Sequence, residues 1–492
     1  TDVVASCIDK IKPSSSTGPD GVSNRTLKIL KFQLVKPLTR IINASITSSH
    51  FPNIWKIGRV CPTFKRGAKD ESTNYRPISL TSNIGKLVES VIRIQFVDAL
   101  ERVLPPNIHG FRYNRGTETA LTQLTEKIKT LKSQGQQVAL LALDCSAAFD
   151  VLSHSLILRS LEAIGAGPTM IAWITDYLTG CKQFVDVGGV HSDEWSDDVG
   201  VGQGKRLSVD LFNLGSLSNA LWTVLSDLIL YADDGGDIIS GATDSELNKN
   251  IRSIASIRSS WFNLAGLSLN AAKSELIGFF GAKLDPLTIE GNTINPSSSI
   301  KFLGLKLQHN LKFHEHVDDI SNKMRSAAGR LRSEGRHLLI SDRRILFNGW
   351  IRSLPMCNGL AFLPHLCEDQ LNKLSAAYNS GIRSIFGLPR KGYAPISELC
   401  ARLKLPTIRQ IKDFILLHEA WKRRSSFPIE FKGAITRGRS NLNVPLPNQK
   451  GLFGSLLSNI LCHHWNRLPL VIKVEESPEK AKIAIRKLAF GF

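Results

Sequence analysis

The chain has 492 residues, 42% hydrophobic and 21% charged, a globular composition too long for one hydrophobic core and therefore expected to divide into sub-domains. Its 62 Lys and Arg against 43 Asp and Glu leave a formal charge of +19, which points to a polyanionic partner, nucleic acid first. No apolar run reaches membrane-spanning length and the N-terminus has neither a basic head nor an apolar core, so the expectation is an intracellular protein, nuclear and cytoplasmic, with no membrane partner. The absence of an initiator Met suggests that further domains precede Thr1. Eight cysteines at irregular distances, with no CxxC pair, read as a reduced protein. Cys462-His463-His464 lacks a second ligand pair and is read as surface or packing residues.

In chain order, Ser, Thr, Gly, Pro and Asp crowd positions 14–21, a loop. The apolar run Gln137 to Leu143 predicts a buried strand that delivers Asp144 at its C-terminal end, and a helical pattern follows over 154–164. Leu228-Ile229-Leu230-Tyr231 and Asp237-Ile238-Ile239 flank Ala232-Asp233-Asp234-Gly235-Gly236, which predicts a hairpin with a Gly-bearing turn and acids at its tip. Thr243 and Glu246 form a capping box ahead of Leu247, Ile251, Ile254, Ile257, Trp261 and Leu264, an amphipathic helix ending at Gly266. Strand, helix, hairpin, helix, strand is the order of a split βαβ sheet with helices on one face, an arrangement able to bring Asp144 beside the hairpin tip. From 313 to 424 the pattern turns helical and basic, with Lys323, Arg325, Arg330, Arg332, Arg336, Arg343 and Arg344 close together, either a solvated face or a nucleic-acid-binding one. The last segment, with Pro445, Pro447, Gly451 and Gly454, reads as a loosely ordered extension.

An Asp-Asp turn alone is more often a plain surface hairpin than a site. Its company decides otherwise. Tyr231-Ala232-Asp233-Asp234 after Ala142-Leu143-Asp144-Cys145-Ser146-Ala147-Ala148-Phe149-Asp150 resembles the paired acidic motifs of reverse transcriptases. Asn74-Tyr75-Arg76-Pro77-Ile78-Ser79-Leu80 and Gly110-Phe111-Arg112 with Thr117 and Ala120 resemble the fingers motifs of LINE-like, non-LTR elements. Gly202-Gln203-Gly204, Leu269-Asn270-Ala271-Ala272-Lys273-Ser274 and Phe302-Leu303-Gly304 follow in that family's order, and Trp465-Asn466-Arg467-Leu468-Pro469 is similar to the tail of jockey-like elements.

The resemblance implies an α+β right-handed polymerase: fingers with interleaved palm elements over 1–135, a split βαβ palm over 136–308, a helical basic thumb over 309–424 and an extension of unknown role over 425–492. It implies an RNA-directed DNA polymerase with RNA template, DNA primer and dNTPs as partners. Two Mg²⁺ ions, with Mn²⁺ as a substitute, would be held by Asp144, Asp233, Asp234 and the backbone carbonyl of Cys145, since hard cations take oxygen ligands. Arg76 and Lys65 would meet the triphosphate, Phe149 would act as a steric gate against a 2′-hydroxyl, Tyr231 would line the nucleotide site, and Lys273 would protonate the leaving pyrophosphate. Gly204 would admit template and nucleotide close to the backbone, and Gln203 would contact the template. The chain departs from the family where Gly202-Gln203-Gly204-Lys205-Arg206 and Val209-Asp210 replace a Pro-Gln-Gly-Ser start and a later Pro, and where Gly235 replaces a common Thr. A catalytically inactive nucleic-acid-binding relative and an RNA-dependent RNA polymerase are the alternatives.

Overall fold

The computed structural model of the chain describes residues 1–146, 148–221, 226–389, 394–426 and 456–491. Its centre is an antiparallel sheet, and the strands that build it and its neighbour are taken here in chain order. β1 (Ile57–Phe64) and β2 (Tyr75–Thr81) pair antiparallel from Gly58↔Thr81 to Phe64↔Tyr75. β3 (Gln137–Leu143) is apolar at nearly every position. β4 (Cys181–Val187) runs parallel to β1, with Ile57 opposite Lys182. β5 (Ser226–Tyr231) and β6 (Asp234–Gly241) form the acidic hairpin, and β7 (Glu275–Phe279) completes the set.

The central sheet has the order β7-β3-β6-β5 with every neighbour antiparallel. Chain order and sheet order together define two interlocked split βαβ units, since β6 separates β3 from β5 and β3 separates β6 from β7. The fold is therefore α+β with the expected split βαβ core. The expectation of helices on one face is corrected, because both faces are covered. Ala139, Leu141, Leu228 and Leu230 face a core with Ile157, Leu161, Ile251 and Ile254 from the helices His154–Ala163 and Asp244–Ala265. Val138, Leu140, Ile229 and Ile238 face a second core with Leu121, Leu124 and Ile128 of the helix Thr117–Ser133, and with Val317 and Met324 of His314–Ser333. The unbroken apolar run of β3 is the reason, since a strand with one wet face would alternate.

Two other expectations change. Residues 181–197, inside the span read as palm, belong instead to the sheet of β1 and β2, so that span is not one block. The anticipated loose extension is in part ordered: Leu457–Arg467 and Pro478–Phe490 pack on Ile408–Lys422 around Trp421, Leu461, Trp465 and Ile485. Pro445, Pro447, Gly451 and Gly454 lie outside the described residues.

The basic run over 323–344 divides by use. Arg332 donates to the Leu388 carbonyl, Arg343 to those of Gly335 and Ile385, and Arg344 to that of Leu403, so these guanidiniums serve the packing of the helical region. Lys323 pairs with Asp319 at 2.7 Å, and Arg330 lies 4.8 Å above the Trp350 ring.

One polar contact sits inside the core below the acidic hairpin. Asp237 of β6 accepts two bonds from Arg258, at 2.7 and 2.9 Å, and one from Ser226 at 2.6 Å, while Arg258 also donates to the carbonyl and Oδ1 of Asn219. Both charged side chains are at most 3% exposed. Removing one partner strands a charge in the core, so Arg258→Met should cost on the order of 3 to 5 kcal/mol, whereas Asp237→Leu with Arg258→Met should regain most of it. Urea unfolding of the three proteins checks this. A single variant as stable as the double would contradict it.

Candidate active site

The two strands that carry acids end at the same edge of the sheet. β5 and β6 are joined by a two-residue turn, Ala232-Asp233, with Tyr231 opposite Asp234. Ala232 takes the left-handed conformation, φ +56°, that such a tight turn requires. The expected Gly-bearing turn is thus shorter than read, and Gly235 and Gly236 lie within β6 opposite Leu143 and Ala142. Glycine serves packing there: a Cβ on Gly236 would stand 3.0 Å from Phe302 Cζ.

Asp144 follows β3 directly and is held by the segment after the helix Asp244–Ala265. Its N–H donates to Ser274 Oγ at 3.2 Å, and its carbonyl accepts the Asn270 N–H at 2.8 Å. Lys273 of the same segment places Nζ 3.5 Å from Asp144 Oδ2. That oxygen is buried without a hydrogen-bond partner.

The three carboxylates disturb one another. Loss of water around its carboxyl, then the charges of Asp233 and Asp144, hold Asp234 up at about 6. Asp233 is raised by the same loss of water, with Asp144 adding to it and Arg76 and Lys273 opposing. Burial pushes the Cys145 thiol up to about 12, with all three acids adding to the shift. Among the described residues no group of three or more His, Cys, Asp or Glu side chains is arranged to hold a metal ion. The donor set nevertheless fits a hard divalent cation: an orphaned carboxylate oxygen, two further carboxylates short of countercharge, and no soft ligand offered as thiolate.

A cleft of about 1150 Å³ opens over this edge, lined by Lys65, Arg76, Asp144, Cys145, Phe149, Gln203, Gly204, Asp233 and Lys273 among others. Nine of the expected site residues therefore meet in one space. Asp234 and Tyr231 lie beside it, Tyr231 with its ring tilted 6.4 Å from that of Phe111. Phe149 is half-buried, stacked on Phe212 at 4.4 Å and 10°, with Phe111 edge-on at 6.1 Å. Phe111 is brought here because residues 107–110 run along β5, where His109 N–H donates to the Leu230 carbonyl at 2.7 Å. A Cβ on Gly110 would meet Ala232 N at 2.4 Å.

The Gly202–Gly204 stretch differs from expectation in detail. Gly204, φ +117°, makes its close approach to the Ser79 carbonyl of β2, where a Cβ would stand 2.4 Å away, rather than to open cleft. Gln203 lines the cleft with its amide donating to Asp150 at 3.0 Å and its carbonyl accepting the Ser79 N–H. Of the two additional cations only Lys205 lines the cleft, and its Nζ sits 5.3 Å over the Tyr177 ring and 3.3 Å from Cys181 Sγ. Arg206 opens on a separate pocket with Cys7 and Lys10. Gly202 has φ +67°, which proline cannot adopt. Asp210 forms a two-pronged ion pair with Arg93.

Residues 65–307 match the family model for reverse transcriptase (RNA-dependent DNA polymerase). The chain carries a reverse transcriptase domain. Its relatives include the probable RNA-directed DNA polymerase from transposon X-element of Drosophila melanogaster, 27% identical over 82% of this chain and 46% of that protein. The RNA-directed DNA polymerase from mobile element jockey of Drosophila funebris is 24% identical over 82% of this chain and 45% of its own length. The chain spans under half the length of these relatives. Among solved structures, apo telomerase from Candida tropicalis aligns over 52% of this chain and 53% of that one, at 16% identity and a TM-score of 0.38. The reverse transcriptase domain thus includes every acid, cation and aromatic named at the cleft, and the relatives agree with the LINE-like resemblance of its motifs.

The lost hydration of Asp234, with the like charges of Asp233 and Asp144 added, predicts a stability effect in the metal-free protein. Asp234 ionises near pH 6 when folded and near 3.8 when unfolded, so its ionisation lowers stability as pH rises from about 4 to about 6, and the loss persists above. Asp234→Asn should raise the melting temperature at about pH 7.5, in the presence of a chelator, and raise it clearly less at about pH 4.5, where most of the loss has not yet set in. Equal effects at both pH values would remove the ionisation of Asp234 from the account.

Proposed function

We propose that the domain extends a DNA primer on an RNA template, as a non-LTR retrotransposon polymerase, with Asp144, Asp233 and Asp234 as ligands of two divalent cations. The observation that carries this reading is the convergence of Asp144 and Asp233 with Arg76, Lys65, Phe149 and Lys273 around one cleft, with Asp234 next in the chain. Mg²⁺, with Mn²⁺ as substitute, would lower the pKa of a primer hydroxyl and stabilise a leaving pyrophosphate when bound. Asp144, Asp233 and Cys145 line the cleft; the two carboxylates and the Cys145 carbonyl would hold such ions, with Asp234 supporting. Arg76 and Lys65, across the cleft on the β1–β2 hairpin, offer charge and planar donors to triphosphate oxygens. Lys273 stands 3.5 Å from Asp144, where it balances the acid charge and can release a proton toward a departing phosphate.

Phe149 supports deoxyribonucleotide use over the RNA polymerase alternative. Its ring is braced on both sides by Phe111 and Phe212, so it cannot swing aside to admit a 2′-hydroxyl without unpacking a stack. Gln203 and Gly204, fixed to β2 through Ser79, couple the nucleotide side of the cleft to the β1–β2 hairpin. Within the altered segment Gly202 has a backbone reason and Lys205 and Asp210 have partners, which weighs against the alternative of a binding-only relative.

Two measurements test the reading. Asp233→Asn keeps the shape and removes one charge, so primer extension with Mg²⁺ and dNTPs should fall about a hundredfold or more while primer–template affinity stays near wild type. Full-rate synthesis by this variant would refute the ligand assignment. Phe149→Val should admit rGTP, reducing the preference for dGTP about tenfold or more in single-nucleotide incorporation. A wild-type protein that itself prefers rGTP would hand the function to the RNA polymerase reading.

A further inference from the structure

The helix Asn83–Val103 crosses behind the segment that carries Gln203 and Gly204, and two of its side chains reach that segment. Glu89 and Arg93 lie one helical turn apart on the same face. Glu89 is 2% exposed, and its Oε2 accepts the N–H groups of Arg206 and of Leu207, the second at 3.1 Å. Arg93 holds Asp210, 4% exposed, with Nε 2.5 Å from Oδ2 and Nη2 3.0 Å from Oδ1. Both contacts fall on the entry and first turn of the helix Ser208–Gly215. Ser208 Oγ closes that turn from the inside, 2.6 Å from the Val201 carbonyl and 2.7 Å from that of Gly202.

The helix so held carries Phe212, whose ring lies flat against Phe149 at 4.4 Å and 10°. The position of the Phe149 ring in the cleft is thus set from behind by a helix that is itself anchored at one end by a buried carboxylate and an ion pair. Phe111 meets the ring edge-on at 6.1 Å, so the flat support comes from Phe212.

We propose that Glu89 and Arg93 are positioning residues for sugar selection, acting through the helix Ser208–Gly215 and Phe212 on the Phe149 gate. This rests on the gate reading given above. Loosening the ion pair lets the helix entry shift, Phe212 withdraw and Phe149 settle into the gap, which opens room for a 2′-hydroxyl. A role in stability alone would lower the melting temperature and leave nucleotide preference untouched.

The test uses the full chain on an RNA template with a dideoxy-terminated DNA primer and Mg²⁺, so that nucleotide affinity is read without synthesis. The affinities of dGTP and rGTP are compared for wild type, Phe149→Val, Arg93→Met and Arg93→Lys, each checked for folding by thermal melt. Arg93→Met leaves Asp210 buried and unpaired, and is expected to reduce the dGTP preference about tenfold. Arg93→Lys keeps the charge without the planar fork, folds where the Met variant fails to, and is expected to reduce it about threefold. If Phe149→Val loses the preference while folded Arg93→Met and Arg93→Lys keep it, the positioning role is overturned and the gate stands. If Phe149→Val keeps the wild-type preference, the gate reading falls, and this proposal falls with it.

Discussion

Three carboxylates brought to one edge of a sheet repel one another, and everything around this site answers that repulsion. The strands cannot splay, because β3 is fastened between β7 and β6 and both faces of the sheet are packed. The hairpin cannot lift away, because Asp237 within β6 is tied to Arg258 of the covering helix and to Ser226 of the partner strand. Arg76 and Lys273 offset part of the acid charge from two directions without closing on it. The result is a set of oxygens kept short of countercharge, which is the electrostatic condition for taking up a hard cation.

The positive charge of the chain is spent unevenly. Much of the basic run at 323–344 caps carbonyls within the helical region, so a stretch that looks in sequence like one nucleic-acid face is partly internal scaffolding. The cations that do meet the cleft come from elsewhere: from the β1–β2 hairpin, from Lys205 ahead of the helix Ser208–Gly215, and from Lys273 after the helix Asp244–Ala265. Charge counts point to a kind of partner, but only the backbone says which cations are available to it.

What could be read in advance follows the range of the physics involved. The strand Gln137–Leu143, the helix Asp244–Ala265 with its Thr243 cap and Gly266 stop, and the acids at the hairpin tip were all legible, because periodicity, capping and turn chemistry are local. The two-residue turn was not, since Gly235 and Gly236 look like turn residues and instead lie in β6, Gly236 under the approach of Phe302. The second covered face was written in the unbroken apolar run of β3, but its occupant, the helix Thr117–Ser133, is announced only by its own pattern. Nothing local in the sequence singles out Glu89 and Arg93 on the helix Asn83–Val103. Their four-residue spacing is visible, whereas a partner more than a hundred residues away is not.

The backbone at Gly202 carries a consequence for how such a chain changes over time. A residue in the left-handed region is not a missing proline waiting to be put back, since the loop now follows a path that proline's ring forbids. A single reverting change would meet a backbone already committed elsewhere, through the Ser208 bonds to the carbonyls of Val201 and Gly202. The loop path would have to be rebuilt before a proline fitted at position 202.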